Sequence, residues 1–255
     1  MRTFSSYTLL LGADGIGASG ISIVNDAGWG ESVGQAMALY ADADRLRLSR
    51  CAIRSRQDSL FLGPLPPEPI EGSDFGGPRE GLPRRQGRQL YEGCLIEGDV
   101  DFIFGSAAAL FRKCRIVSLH RPGAEGPQGY VCAPSTPEGA EIGLVFDSCT
   151  LEAGHGLPEG SVFLARPWRD EGRAVFDRCK TGKHVKKELW DDWGKTRARE
   201  KCFFACLDCR GPAVLASAPR PGWEKKITRA ELDSIYARFD AAFPSSKDAR
   251  AGCAS

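Results

Sequence analysis

Two aspartates carry most of the chemical content of this sequence. Asp101 stands in Gly98-Asp99-Val100-Asp101-Phe102-Ile103-Phe104-Gly105, a carboxylate among large apolar residues. Read as a strand, the run places Asp101 and Ile103 on one face and Val100, Phe102 and Phe104 on the other. A carboxylate there is costly to ionise unless a cation or a hydrogen-bond donor meets it, and taken alone it reads as a buried structural aspartate. Asp58 changes that reading. It lies seven residues after Cys51, and Asp101 lies seven after Cys94, with both cysteines in one recurring local frame. Equal offsets in successive repeats put the two carboxylates on one wall, a rung apart. At that distance both cannot ionise freely, so one pKa should rise while the other stays low, which supplies an acid and a base or nucleophile at neutral pH. Gln57 adjoins Asp58, and Gln35 lies 23 residues before it, about one turn earlier. Amide N–H groups hold an oxyanion without adding a charge that would quench a nucleophile. Arg166, in Phe163-Leu-Ala-Arg166-Pro-Trp168, is a fork suited to a buried carboxylate. Trp168 offers a flat face for stacking against a sugar ring. Each residue is ordinary alone; the combination is the signal.

The frame that relates the aspartates has a bulky apolar residue three places before a cysteine and usually an apolar one two places after. It reads Leu48-Ser-Arg-Cys51-Ala-Ile53, Tyr91-Glu-Gly-Cys94-Leu-Ile96, Phe111-Arg-Lys-Cys114-Arg-Ile116 and Phe146-Asp-Ser-Cys149-Thr-Leu151, with Phe176-Asp-Arg-Cys179 a weaker copy. Ile21-Ser-Ile23 is a copy with isoleucine in the cysteine's place. The copies are 30, 43, 20, 35 and 30 residues apart. A shortest period near 20 residues with variable insertions predicts a solenoid in which each turn adds short strands and loops absorb the differences. Cysteine and the apolar residue two places on share a face, so stacked turns should align the cysteines as a ladder of reduced, buried thiols. The spacing of Cys202, Cys206 and Cys209 invites a zinc reading, but no second pair with ligand spacing follows, and no metal or other cofactor is assigned.

Short β-prone runs dominate elsewhere: Tyr7 to Leu11, Gly143 to Phe146, Ser161 to Leu164 and Cys202 to Cys206. The stretch from Gly63 to Arg88, with six prolines and six glycines, is expected to be an irregular loop. Near the end, Thr228-Arg-Ala-Glu231 is a capping box, followed by Leu232, Ile235, Tyr236, Phe239 and Phe243 on one helical face until Pro244. That helix should pack on the body or cover an end of the solenoid. Residues 1–225 are thus read as the solenoid, 63–88 as its long loop, and 226–255 as the helix and a frayed tail of about a dozen residues. A net charge of +1 excludes the basic excess of a nucleic-acid binder, and no run of ~20 apolar residues marks a membrane span. The N-terminus carries no signal-peptide pattern, which as it stands would make the chain cytoplasmic, but the location is left open. His120, His155 and His184 lack any matching nucleophile motif.

The motifs Gln57-Asp58-Ser-Leu-Phe61, Asp101-Phe-Ile-Phe-Gly105 and Ala165-Arg166-Pro-Trp168 resemble those of the pectin methylesterases, or pectinesterases. Gln35-Ala-Met-Ala-Leu39 and Trp190-Asp-Asp-Trp193 add to the resemblance, which runs from about residue 4 to the region of Trp223. It implies an all-β fold, a right-handed parallel β-helix, and hydrolysis of the C6 methyl esters of homogalacturonan (pectin) by a monomer. Residue by residue it implies Asp101 as nucleophile, held charged with a depressed pKa by Arg166, and Asp58 as general acid and then base. Gln35 and Gln57 become oxyanion donors, and Trp168 and Phe104 substrate contacts. Departures from the family pattern are Ala165 and Leu189 in place of glycines, and the Gly63–Arg88 insertion, expected to overhang the cleft. Family members are usually secreted and carry about three further turns before the point where this chain begins, so Met1 reads as an internal or shortened start whose bare end invites self-association. The rival readings are a catalytically weak, pectin-binding β-helix and a galacturonase or lyase on the same scaffold.

Overall fold

The cysteine frame is the corner of a coil. A computed structural model describes residues 2–30, 32–70, 72–215 and 220–244. In it the residue just before each frame cysteine adopts a left-handed conformation: Arg50, Gly93, Lys113, Ser148 and Arg178 have φ between 50° and 59°. One such residue turns the chain sharply between two short strands, and its own side chain, where it has one, points toward solvent. The bulky residue three places earlier therefore closes one strand, and Cys-x-Ile opens the next.

Each coil adds one strand to each of three sheets, all paired in parallel. The first sheet stacks Leu9–Leu11, Leu39–Ala41, Leu60–Leu62, Ile103–Gly105, Gly129–Pro134 and Val162–Ala165. The second runs from Gly17–Ser19 through Leu46–Ser49, Arg88–Glu92, Ala108–Arg112, Leu144–Asp147 and Arg173–Asp177 to Phe203–Leu207. The third, opened by the cysteines, holds Ser22–Val24, Ala52–Arg54, Leu95–Gly98, Arg115–Ser118, Thr150–Ala153 and Lys180–Thr181. The architecture is a parallel β-helix, and the strand runs expected from sequence fall within a residue or two of these bounds. No helix of the described residues is long and apolar enough to cross a membrane.

The interior is built by like residues on like positions. Tyr91, Phe111, Phe146 and Phe176, the aromatic members of the frame, stack with ring centroids 4.8, 4.7 and 4.4 Å apart, near the ~4.8 Å spacing of paired strands. Beside them run the cysteines, each thiol donating to the carbonyl of the frame's bulky residue one coil earlier: Cys94 to Leu48 at 3.5 Å, Cys114 to Tyr91, Cys149 to Phe111 and Cys179 to Phe146 at 3.3 Å. The nine described cysteines are free thiols. The ladder extends one rung beyond the sequence reading. Cys209 donates to the Phe176 carbonyl at 3.2 Å, Asp208 before it has φ 50°, and Cys206 pairs in register with Phe176. The spacing of Cys206 and Cys209 is thus the solenoid's own frame, hidden because a cysteine replaces the bulky residue and Gly211 the apolar one.

The second sheet is apolar on both faces, since Leu90, Leu110, Val145, Val175 and Ala205 point outward between the inward aromatics. Helix Arg229–Ala242 covers that face with Leu232, Tyr236 and Phe239, so it packs on the flank of the solenoid rather than over an end. Its capping box forms as expected, with the Glu231 amide donating to Thr228 and the Glu231 carboxylate accepting from the Thr228 amide. Arg229 and the Tyr236 hydroxyl both bind the buried Asp177 carboxylate. The fraying expected of the chain end falls, from residue 245 on, outside the described residues.

Candidate active site

Asp58 and Asp101 occupy a second kind of corner, between the third sheet and the first. Both are left-handed, with φ of 64° and 50°, a conformation that a short polar side chain tolerates better than most. The following strands pair Leu60 with Ile103, and the Asp58 amide donates to the Val100 carbonyl at 3.0 Å, so the aspartates hold equivalent positions on adjacent coils. The strict strand alternation read through Asp101 does not hold. The left-handed residue breaks it, so Phe102 and Ile103 both enter the interior while Asp101 and Phe104 face the cleft. Gly105 closes the motif at φ 130°, where a Cβ would lie 2.2 Å from the Leu62 carbonyl oxygen. Only glycine fits there.

A cavity of about 210 Å³ opens at this corner, lined by Gln35, Gln57, Asp58, Asp101, Phe104, Arg166 and Trp168, all seven of the site residues read from sequence. Thr3, Phe4, Ala133 and Trp193 complete the wall. Arg166 grips Asp101 with two parallel bonds, Nε to Oδ1 at 2.8 Å and Nη2 to Oδ2 at 2.6 Å. Its guanidinium is itself held between two rings, 3.8 Å from the centre of Tyr130 and 3.6 Å from that of Trp193. Among the described residues, the Asp58 carboxyl and the two glutamine amides make no side-chain hydrogen bond, which leaves their polar atoms for a ligand.

Burial sets the electrostatics. It pushes the Asp58 carboxyl well above the ordinary carboxylate range, and the nearby Asp101 charge raises it further against the pull of Arg166. Asp101 departs from expectation. Its carboxyl is also raised, because desolvation outweighs the attraction and hydrogen bonds of Arg166. The arginine limits the rise but does not reverse it.

Tyr130, Trp193 and Lys195 are site residues that the sequence reading left without a role. Lys195 donates from Nζ to the carbonyls of Pro167 and Trp168 at 2.8 and 3.0 Å, tying down the turn that carries the tryptophan. Burial lowers its pKa to about 8. Trp193 was visible as part of Trp190-Asp-Asp-Trp193, but nothing local says that its ring meets Arg166. Beside the cavity, Phe4, Phe61, Phe75, Phe104 and Trp168 form one aromatic cluster. Phe75 brings the 63–88 loop against Trp168, with ring centroids 6.4 Å apart, and Arg169 donates to the loop's Glu68 carbonyl at 2.7 Å.

Fold and site together define a parallel β-helix with a carboxyl pair in an aromatic-walled cleft. A family model described as Pectinesterase matches residues 73–237, and this chain belongs to the pectinesterase family. It is 30% identical over 227 residues to Pectinesterase 31 of Arabidopsis thaliana, covering 88% of this chain and 61% of that protein. With Probable pectinesterase/pectinesterase inhibitor 64 of the same plant it shares 29% identity over 245 residues, 91% of this chain and 36% of the relative. It therefore spans less than two thirds of the length of these curated relatives. The solved pectin methylesterase from carrot superimposes with a TM-score of 0.76 at 26% identity, over 96% of this chain and 74% of that one.

Proposed function

We propose that the chain is an aspartyl esterase that hydrolyses the C6 methyl esters of homogalacturonan to pectate and methanol. One observation carries the reading: Asp58 and Asp101 stand at the same corner of adjacent coils, with Arg166 forked on Asp101 alone. That asymmetry separates two like groups into two roles. Arg166 favours the charged form of Asp101, the nucleophile, while Asp58, without a hydrogen-bonded cation and with a strongly raised pKa, keeps its proton for the leaving group.

An Asp101 oxygen attacks the ester carbonyl carbon, and the resulting oxyanion is received by the Gln35 and Gln57 amides. The bond to the methoxy oxygen breaks as Asp58 gives up its proton, releasing methanol and leaving the galacturonate acyl group on Asp101 as an anhydride. Asp58, now a carboxylate, takes a proton from water as that water attacks the acyl carbon. The anhydride opens, Asp101 departs as the carboxylate that Arg166 stabilises, and Asp58 is protonated again. Trp168 and Phe104 hold the sugar and its methyl group against apolar surface.

Methanol release from methylated pectin tests the reading, with the parent chain beside Asp101→Asn and Asp58→Asn. Release by the parent and a loss of about 10³-fold or more in each variant is expected, on the scale seen when a nucleophile or its partner is removed. No methanol from the folded parent would sink the activity. Equal release from parent and Asp101→Asn would sink the mechanism.

A further inference from the structure

The cysteine that replaces an aromatic on the last coil has a chemical consequence. In earlier coils the two frame positions that flank a corner hold Tyr91 and Cys94, Phe111 and Cys114, Phe146 and Cys149, and Phe176 and Cys179. On the last coil they hold two thiols, Cys206 and Cys209, in a Cys-x-x-Cys run bent at the left-handed Asp208. The two thiols lie against each other and are made unequal by that contact. Hydrogen bonds from Cys179 and Cys206 hold the Cys209 thiol below its ordinary pKa, whereas Cys209 and burial push the Cys206 thiol up. Access also separates this pair from the ladder. Cys51, Cys94, Cys114, Cys132, Cys149, Cys179 and Cys202 are buried, but Cys206 and Cys209 are half-buried. A cavity of about 970 Å³ opens beside Cys209, lined also by Arg178, Lys180, Asp208 and Arg210. Asp208 is bound by Arg229, and Arg178 by Asp147. Lys180 and Arg210 pair in register on neighbouring coils, and among the described residues neither side chain has an ion-paired or hydrogen-bonded partner.

A half-exposed thiol beside unspent cations is set to react as its thiolate, and a second thiol in contact with it can resolve what the first one binds. We propose that Cys206 and Cys209 are a dithiol site that exchanges with small anionic disulfides, Cys209 attacking and Cys206 resolving. The Cys209 thiolate attacks one sulfur of the incoming disulfide, whose S–S bond breaks and releases the first thiol once it is protonated. Cys206 then loses its proton and attacks Cys209, breaking the mixed disulfide and releasing the second thiol. The two electrons and two protons gained by the reagent are those that the two cysteines give up. Lys180 and Arg210 attract the reagent's negative charge to the cavity. The structure shows the reduced state of the pair. This corner lies between the second and third sheets, whereas the two aspartates lie between the third and the first, so the proposal does not rest on the esterase reading.

The test exposes the folded, reduced chain to oxidised glutathione, an anionic disulfide, and to cystamine, a cationic one, and locates the products by peptide mass mapping. The parent should gain a Cys206–Cys209 disulfide that retains no reagent, formed about tenfold faster with the anionic reagent. Cys206→Ser should stop at a mixed disulfide on Cys209, and Lys180→Gln with Arg210→Gln should remove most of the preference for the anion. Four results with the parent alone would overturn the proposal, whatever the variants do. They are no reaction at either cysteine, a reagent adduct left unresolved on Cys209, a bond from Cys209 to Cys179 instead, and equal rates with the two reagents. Adducts spread evenly over Cys94, Cys114 and Cys149 would overturn it too, because they would report opening of the solenoid rather than a site at its last corner.

Discussion

At the scale of single residues, the site works by making two aspartates unequal. Both carboxyls are raised by burial, and what distinguishes them is the arginine fork on Asp101. Removing the fork should therefore move a pH profile as well as a rate. Arg166→Gln is expected to cost about 10²- to 10³-fold in kcat/KM at neutral pH, the scale of a buried charge left without its partner. The acid limb of its pH–rate profile should shift upward, because Asp101 then ionises with less help; a limb that stays in place would show that Arg166 does not act on Asp101. His184 makes a second residue-scale prediction. It is 1% exposed, neither ring nitrogen has a partner among the described residues, and burial lowers its pKa to about 4. The unfolded chain, with a histidine near 6.5, binds the proton more readily than the folded one, so stability is full above about 6.5 and is lost as pH falls toward 4. The loss is on the order of 3 kcal/mol. Denaturant unfolding of His184→Leu at pH 7 and pH 4.5 checks this, since the variant should lose less between the two values than the parent.

At the scale of elements, one left-handed residue per corner explains why so short a frame was legible. Gly93, Lys113 and Ser148 share no side-chain chemistry, yet each precedes a buried cysteine and follows an aromatic strand end. The periodic signal lies in what flanks the corner, not in the corner itself. The helix was legible for a different reason, since a capping box and a one-sided apolar stripe are local. Its docking face was not. Leu90, Leu110 and Val145 alternate with inward aromatics in three separate strands, and only their stacking makes one apolar surface. Thr228→Ala removes the acceptor for the Glu231 amide and should cost about 1 kcal/mol, lowering the thermal midpoint by roughly 2–4 °C. An unchanged midpoint would show that docking, through Arg229 and Tyr236 on Asp177, holds the helix without its cap.

For the whole molecule, the ladder of free thiols predicts that no disulfide braces the described solenoid. Excess dithiothreitol should leave the thermal midpoint unchanged, whereas loss of a structural disulfide would cost roughly 2–5 kcal/mol and a clear fall. Coil stacking also decided what local reading could not. The sequence by itself determined the coil, because corner, cysteine and apolar residue lie within six positions of one another. It therefore determined that Asp58 stands over Asp101, since both keep one offset from that frame. The tertiary structure alone decided how deeply Asp101 is buried, and with it the direction of its pKa. Arg166 reaches Asp101 from 65 residues away and is clamped by Tyr130 and Trp193 from other coils. Depth and clamping depend on which loops and neighbouring coils close over the corner. Desolvation is a property of that whole enclosure, and no short stretch of chain encodes it.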